Sequence, residues 1–365
     1  RKVPRDKYGF EVLEQYATEA ITVAQSYVST VEEQERRWKA YLSRRSGQVV
    51  RLQVSTQYSG ASPLTQIPAQ RRLRQLVRGG IPPWLRHRVW MHISGAAMTM
   101  KAHPGYYEAI LDNNGHRESI EREQIEMDVR RTFPGHPYFQ EDKGILPLRR
   151  VLIAYSWHNP EIGYCQSMNF ICALLLLLMD EESAFWMMVV MLDQFLQRDY
   201  YTKSMIAAHT DQFVFQHFIS QTLPRVDAVL KRFSVPLPLI TSQWFLCAFV
   251  CMLPTESLLR VWDILFFEGD VALFRCALAV LKYNEERILN ISNETEAFSI
   301  LKHLPASLQD PNVLIKLMFH SRFRGITSRS LRRLRRHFYP RAKQVLMDAS
   351  HLRREAAERR RKREL

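Results

Sequence analysis

The sequence predicts an all-α protein, and three observations carry the prediction. From residue 68 onward, apolar residues recur at the spacing of one helix face. Gly and Pro fall mainly between those segments, and Gly is scarce, 13 in 365 residues. No Asn-Gly turn stands between alternating Val/Ile/Thr runs, as a hairpin would need.

Taken in order, residues 8–45 are rich in Ala, Glu and Gln and read as a helix. Residues 46–66 form a Ser-, Gln-, Gly- and Pro-containing connector with little periodicity. A helix over 69–78 stops at Gly79-Gly80. Pro82-Pro83 opens the next, because proline's fixed φ suits a first turn, and that helix carries Trp84, Val89, Trp90 and Ile93. Residues 119–133 read as a polar-faced helix stopped by Pro134, and 147–158 as one stopped before Pro160. Residues 164–179 and 181–196 read as two core helices with an acidic break between them. Further apolar helices are expected near 208–222, 225–233, 240–253, 255–267 and 270–289. The chain thus divides into an N-terminal helical extension and linker (1–67), a multi-helix body (68–320) and a basic, charged helical tail (321–365).

With 46% hydrophobic and 24% charged residues the composition is globular, and a chain this long buries a sizeable core without metals or disulfides. Cys165, Cys172, Cys247, Cys251 and Cys276 are odd in number, contain no CxxC pair and stand in apolar surroundings. They read as buried, reduced thiols of a cytosolic protein. The apolar run 170–179 is ten residues long, half of the roughly 20 that a membrane-crossing helix needs. The net charge of +14 is concentrated. Residues 321–365 hold 16 Lys/Arg against 4 Asp/Glu, which leaves only +2 for the first 320 residues. That distribution excludes a uniformly basic nucleic-acid-binding body.

Several chemistries are absent from the sequence. There is no GxxxxGK[ST] and no GxGxxG, hence no phosphate cradle of the chain's own. There is no HExxH, no GxSxG and no Cys/His cluster at zinc spacing. His158 and Cys165 make a poor thiol-based pair, since one sits at a helix end and the other flanks an apolar helix.

Two segments carry polar groups in informative positions. In the first, Ile125 to Pro134, Asp128 and Arg131 are three apart and share a helix face, so the carboxylate can hold the guanidinium in one orientation near the helix end. On spacing alone an ordinary surface ion pair, worth about 0–1 kcal/mol, is the simpler account. In the second, Ile162 to Phe170, Gln166 and Asn169 stand at the entrance of an otherwise apolar helix, with Gly163 permitting a sharp approach. Polar groups so placed are either satisfied locally, as helix caps, or functional.

Together the segments resemble the fingerprints of the TBC domain, the Rab GTPase-activating domain. Ile125, Asp128 and Arg131 match the family's IxxDxxR, followed by its Thr-Phe-Pro, and Tyr164 and Gln166 match its YxQ. Gly80-Ile81-Pro82 with Arg86 and Trp90 resembles the opening GIP…RxxxW. Ser242-Gln243-Trp244-Phe245, and Trp262-Asp263 with Gly269, resemble the late motifs, in the family order. The matches span about residues 75–290. Ser167 departs from the pattern, standing where many members carry Gly. The Lys282-Tyr283-Asn284-Glu285 run and the charged tail resemble the subgroup in which membrane-targeting and coiled-coil regions precede the TBC domain.

The resemblance implies an all-α fold of two helical subdomains and a GTPase activator with no nucleotide site of its own. GTP and Mg²⁺ are held by a GTP-bound Rab partner, and the chain itself binds no cofactor or metal. Arg131 is implied as the arginine finger and Gln166 as the glutamine finger that orients the attacking water. Asp128 is implied to orient Arg131, and Tyr164 to set Gln166 and contact the GTPase. Trp90, Ile125, Trp244 and Trp262 read as core, and Asp263 as an internal cap or pair. A catalytically weak scaffold that binds active Rab is the alternative. The basic tail reads as a solvated helix or as a peripheral contact with anionic membrane. No specific nucleic acid is expected. The implied location is cytoplasmic, peripheral on endomembranes, in vesicle trafficking.

Overall fold

A computed structural model describes residues 4–43 and 68–364. Among these residues there are eighteen α-helices and no strand beyond an isolated bridge between Arg5 and Glu11. The first nine are α1 (Ala17–Ser43), α2 (Pro68–Gly79), α3 (Pro83–Ile93), α4 (Ala96–Ala102), α5 (Tyr106–Asn114), α6 (Ile120–Val129), α7 (Asp142–His158), α8 (Met168–Leu176) and α9 (Glu181–Val190). The rest are α10 (Ile206–Thr222), α11 (Pro224–Arg232), α12 (Leu237–Leu246), α13 (Thr255–Glu268), α14 (Val271–Tyr283), α15 (Glu285–Leu289), α16 (Glu294–His303), α17 (Pro311–Met318) and α18 (Ser328–Glu364).

The expected all-α architecture is borne out, with two groups of helices sharing one continuous apolar core. In the first group α7 is central, packed by α5, α6, α8 and α9. In the second, α13 lies on α14 and α17 and reaches back to α2 and α3, while α10 packs on α11, α12 and α18. The seam is aromatic and ionic. Trp90, Trp262 and Phe266 meet with ring centroids 5.0–5.9 Å apart. The buried Asp263 carboxylate accepts from Trp90 Nε1 (2.8 Å), Arg86 Nε (3.3 Å) and the Ile81 amide (3.2 Å). The early and late sequence motifs are therefore halves of one buried network. A buried charge of this kind is tolerated because it is paired with Arg86 and Arg260 and hydrogen-bonded on both oxygens.

Several elements differ from the sequence reading. Helix α1 begins at Ala17, not residue 8. Residues 5–11 close a tight loop in which the Asp6 carboxylate accepts the Tyr8 and Phe10 amides at 2.9 and 3.0 Å. Gly9 turns that loop at φ +97, where a Cβ would lie 2.7 Å from His136 Nε2. The connector 46–66 lies outside the described residues. The helix expected over 240–253 ends at Leu246, because Ala248, Phe249 and Cys251 adopt positive φ. The Ala248 carbonyl so freed accepts from Trp262 Nε1 at 3.0 Å. That turn also leaves Cys251 exposed, unlike the expected buried thiol. The segment 270–289 breaks at Asn284, whose Nδ2 donates to the Val280 carbonyl and to Ser307 Oγ.

The tail is helical, as expected, and its first half belongs to the packed body. Leu331, Leu334 and Ala342 are buried, and Phe338 stacks on Phe213 of α10 at 6.1 Å. Arg335 grips Asp211 with Nε and one Nη, both at 2.7 Å, and pairs with Asp270 through the other.

Candidate functional site

Ser119 caps α6 by accepting the Arg122 amide at 3.1 Å. The helix runs only to Val129, short of the expected residue 133. Pro134 disfavours helical geometry at the residue before it, and Phe133 turns to φ +47. Residues 130–132 therefore form a tightening turn, with the Arg131 amide bonded to the Asp128 carbonyl at 3.1 Å. This places Arg131 just past the helix end, on a loop rather than on the helix face.

Asp128 is 3% exposed and stays in the last turn of α6. One of its oxygens accepts Arg131 Nε at 2.6 Å and is also contacted by an Arg131 Nη. The other accepts the Tyr164 hydroxyl at 2.6 Å. Burial, reinforced by that carboxylate, pushes the Tyr164 phenol far above its ordinary range, so it remains a donor. The Arg131 side chain is anchored at Nε and one Nη yet remains 59% exposed.

The second loop connects α7 and α8. Tyr164 and Gln166 lie on it, not on a helix starting at 164. Two positive-φ positions bracket this loop, and the second interrupts the longer helix. Gly163 sits at φ +63, where a Cβ would come 3.0 Å from Glu121 Cγ. Ser167 sits at φ +110 as the residue before α8. The left-handed backbone there is the physical reason a glycine suits this position. At the loop's base, Asp193 accepts from Tyr155 Oη (2.8 Å) and Asn159 Nδ2 (3.0 Å), with His158 Nε2 at 3.4 Å. Asp193 reaches them from a wide turn after α9, in which the Leu196 amide bonds the Met191 carbonyl. His158 is thus engaged by Asp193, and by Tyr106 at 3.0 Å, rather than by Cys165.

Gln166 is exposed, and its side-chain amide makes no hydrogen bond among the described residues. Tyr164 bonds Asp128, so all three groups of the first cluster, Asp128, Arg131 and Tyr164, are physically joined. The N-terminal loop backs the Arg131 turn. Phe10 packs edge-on against Phe133 at 4.8 Å, and the Tyr8 carbonyl meets His136 Nε2 at 2.7 Å. The sequence reading assigned these residues to a helix and missed that support; Gly9 was the available signal. A cavity of about 820 Å³ lies between this loop, α1, α12 and α16. It touches Phe133 but neither Arg131 nor Gln166, which face outward. The polar arrangement lies apart from that cavity. It presents one permanent cation and one amide outward, on adjoining loops, which suits action on another macromolecule.

Comparison with known proteins agrees. The model of the Rab-GTPase-TBC domain matches residues 83–289. Small G protein signaling modulator 3 from mouse is 39% identical over 251 residues, covering 68% of this chain and 34% of its own length. TBC1 domain family member 2A from human is 38% identical over 291 residues, covering 79% of this chain and 31% of its own. The chain therefore spans about a third of the length of these relatives. The crystal structure of the Chlamydomonas flagellar RabGAP TBC domain superposes with a TM-score of 0.72 at 29% identity, covering 87% of this chain and all of that one. Helical architecture, ordered motifs and matched residues lead to one assignment: this chain belongs to the Rab-GTPase-TBC domain family.

Proposed function

We propose that this chain accelerates GTP hydrolysis by a Rab-family GTPase, supplying Arg131 and Gln166 to the partner's nucleotide site. The observation that carries the reading is the pairing of an anchored but exposed Arg131 with an exposed, uncommitted Gln166 on the neighbouring loop. Hydrolysis needs a water aimed at the γ-phosphate and positive charge on the oxygens around it. A guanidinium is planar and permanently charged, so it suits that spread charge. An amide both donates and accepts, so Gln166 can hold a water while receiving one of its protons as a hydrogen bond. Asp128 holds Arg131, and the Tyr164 hydroxyl donates to Asp128 from the neighbouring loop. GTP and Mg²⁺ belong to the Rab. Such an arginine contributes roughly 10³–10⁵ in rate, or about 4–7 kcal/mol.

The test is single-turnover phosphate release from a panel of purified, GTP-loaded Rabs, repeated on the responding Rab with its switch glutamine changed to leucine. Arg131→Ala should abolish acceleration, with Arg130→Ala as the control that costs far less. Gln166→Ala should abolish acceleration of both Rab forms, and the wild-type chain should accelerate both. An inert leucine form with an active Gln166→Ala chain would instead establish a single-finger mechanism. Binding of GTP-loaded Rab without acceleration by any panel member would establish a scaffold.

The basic tail is proposed to touch anionic endomembrane. Arg329, Arg333, Arg336 and Lys343 are exposed on α18, and each cation near such a surface is worth about 1 kcal/mol. Among the described residues no helix is long and apolar enough to cross a membrane. Changing these four to Glu should abolish salt-sensitive binding to phosphatidylserine vesicles. Unchanged vesicle binding rejects this role.

A further inference from the structure

The loops that carry Arg131 and Gln166 come from different helices, and one buried side chain joins them. Asn169, in the first turn of α8, is 1% exposed. Its Nδ2 donates to Thr132 Oγ1 at 2.8 Å. Its Oδ1 accepts the Ser167 amide at 3.1 Å. Thr132 directly follows Arg131, and Ser167 directly follows Gln166. Each exposed group is therefore one peptide bond from a residue that Asn169 holds.

The hydrogen bonding admits one orientation of the amide. Thr132 has a single hydroxyl proton, already donated to the Asp128 carbonyl at 2.7 Å, so its oxygen can only accept. Asn169 must turn its NH₂ toward Thr132, which leaves its oxygen for Ser167. The Ser167 end is strained, at φ +110, and such a conformation persists only where the surroundings over-determine it. Its own Oγ is buried without a hydrogen-bond partner and does not hold it. Helix capping alone does not account for this pattern. A cap serves local backbone, whereas Asn169 gives its NH₂ to a side chain 37 positions away. That side chain is tied in turn to Asp128, which grips Arg131.

We propose that Asn169 is the positioning residue that fixes Gln166 relative to Arg131, so that both groups reach the γ-phosphate as one pre-assembled unit. The proposal rests on the two-finger reading above. Asn169 touches neither nucleotide nor GTPase; it acts through the Ser167 amide on one side and Thr132 on the other.

The probe is the Rab that responds best in the panel, in its wild-type form and with its switch glutamine changed to leucine. Misplacing a catalytic group by about 1 Å costs on the order of 10²-fold, so Asn169→Ala should lower kcat by about that factor with KM within about threefold. The wild-type chain should accelerate both Rab forms alike. With Asn169→Ala the residual rate should come to depend on the Rab's own glutamine, the leucine form falling about tenfold further. A purely structural defect would lower both forms equally. Thr132→Val, which keeps shape but removes the acceptor, should show the same signature, and Thr132→Ser should restore turnover. Thermal unfolding and binding to Rab loaded with a non-hydrolysable GTP analogue report folding. If Asn169→Ala does not fold, the Thr132→Val and Thr132→Ser pair decides. A folded Asn169→Ala or Thr132→Val chain with unchanged kcat on both forms overturns the proposal. Should Gln166→Ala also leave turnover intact, the two-finger reading itself fails and takes the proposal with it. An inactive Gln166→Ala beside a fully active Asn169→Ala rejects the interlock alone.

Discussion

Removing the Asp128 carboxylate separates the anchoring of Arg131 from its charge. Asp128→Ala deletes the acceptor of Arg131 Nε and of Tyr164 Oη, both at 2.6 Å. The two losses differ in kind. Tyr164 is 8% exposed, so its hydroxyl is stranded in the protein, a cost of about 1–3 kcal/mol in stability. Arg131 is 59% exposed on its side chain, so water replaces Asp128 there and stability changes by only about 0–1 kcal/mol. Function should show the reverse weighting. A freed arginine must be ordered anew for each turnover, which costs about 0.5–1.5 kcal/mol in rotamer freedom. Losing its aim adds to that, for an expected kcat loss of about 10- to 100-fold. That is less than the roughly 10³-fold or greater loss for Arg131→Ala. Asp128→Asn, whose amide oxygen can still accept Arg131 Nε, should fall between wild type and Asp128→Ala. The assay is stimulated phosphate release at saturating GTP-loaded Rab, alongside thermal unfolding. If Asp128→Ala is destabilised as expected but turns over within twofold of wild type, Asp128 supports the fold and does not aim Arg131.

Three further outcomes are expected. Ser167→Gly should stabilise the chain by about 1–2 kcal/mol in urea unfolding, because it relieves a strained φ and removes a buried, unpartnered hydroxyl; Ser167→Ala should recover only the hydroxyl part. Arg335→Met should cost about 3–5 kcal/mol, since it leaves the 1%-exposed Asp211 without its bidentate partner, whereas Arg333→Met on the exposed face should shift the urea midpoint little. Glu256 should make stability acid-sensitive. Burial alone would raise its carboxyl, but Arg86 and Lys7 hold it at about 2. Its stabilisation is therefore complete above the unfolded value of about 4.3 and is lost as pH falls toward 2, by about 2 kcal/mol at pH 3. Glu256→Gln, though less stable at neutral pH, should lose correspondingly less between pH 6 and pH 3.

Much of the fold was legible because helices announce themselves locally. Gly79-Gly80 followed by Pro82-Pro83 marked the α2–α3 junction, and Ser119 and Pro134 bracketed α6 and its turn. Trp90, Ile125, Trp244 and Trp262 were readable as core, and all are at most 1% exposed. Errors cluster where a distant partner overrides local preference. Residues 8–16 are helix-compatible in composition apart from Gly9, yet 5–11 fold into a loop; its Asp6 bonds are local, but its tie to His136 is one that no local pattern could supply. Tyr164 and Gln166 precede an apolar run that reads as one long helix, but Gly163 and Ser167 take positive φ and release them onto a loop.

The candidate site was legible only through resemblance: spacing alone left Asp128 and Arg131 as an ordinary ion pair, and the match of two short segments to the TBC fingerprints singled out Asp128, Arg131, Tyr164 and Gln166. The all-α class was legible directly, through a periodicity that each helix carries internally. What covers each face, and what each polar group meets, is set by the packing of distant segments. Asn169 looked like a helix cap until Thr132 was found against it. Arg335 was one arginine among several, including Arg332, Arg333 and Arg336, until α10 brought Asp211 against that one position. The reason is physical. A helical pattern specifies that a face must be covered, whereas a hydrogen bond or buried ion pair depends on two segments, far apart in the chain, meeting within about 3 Å.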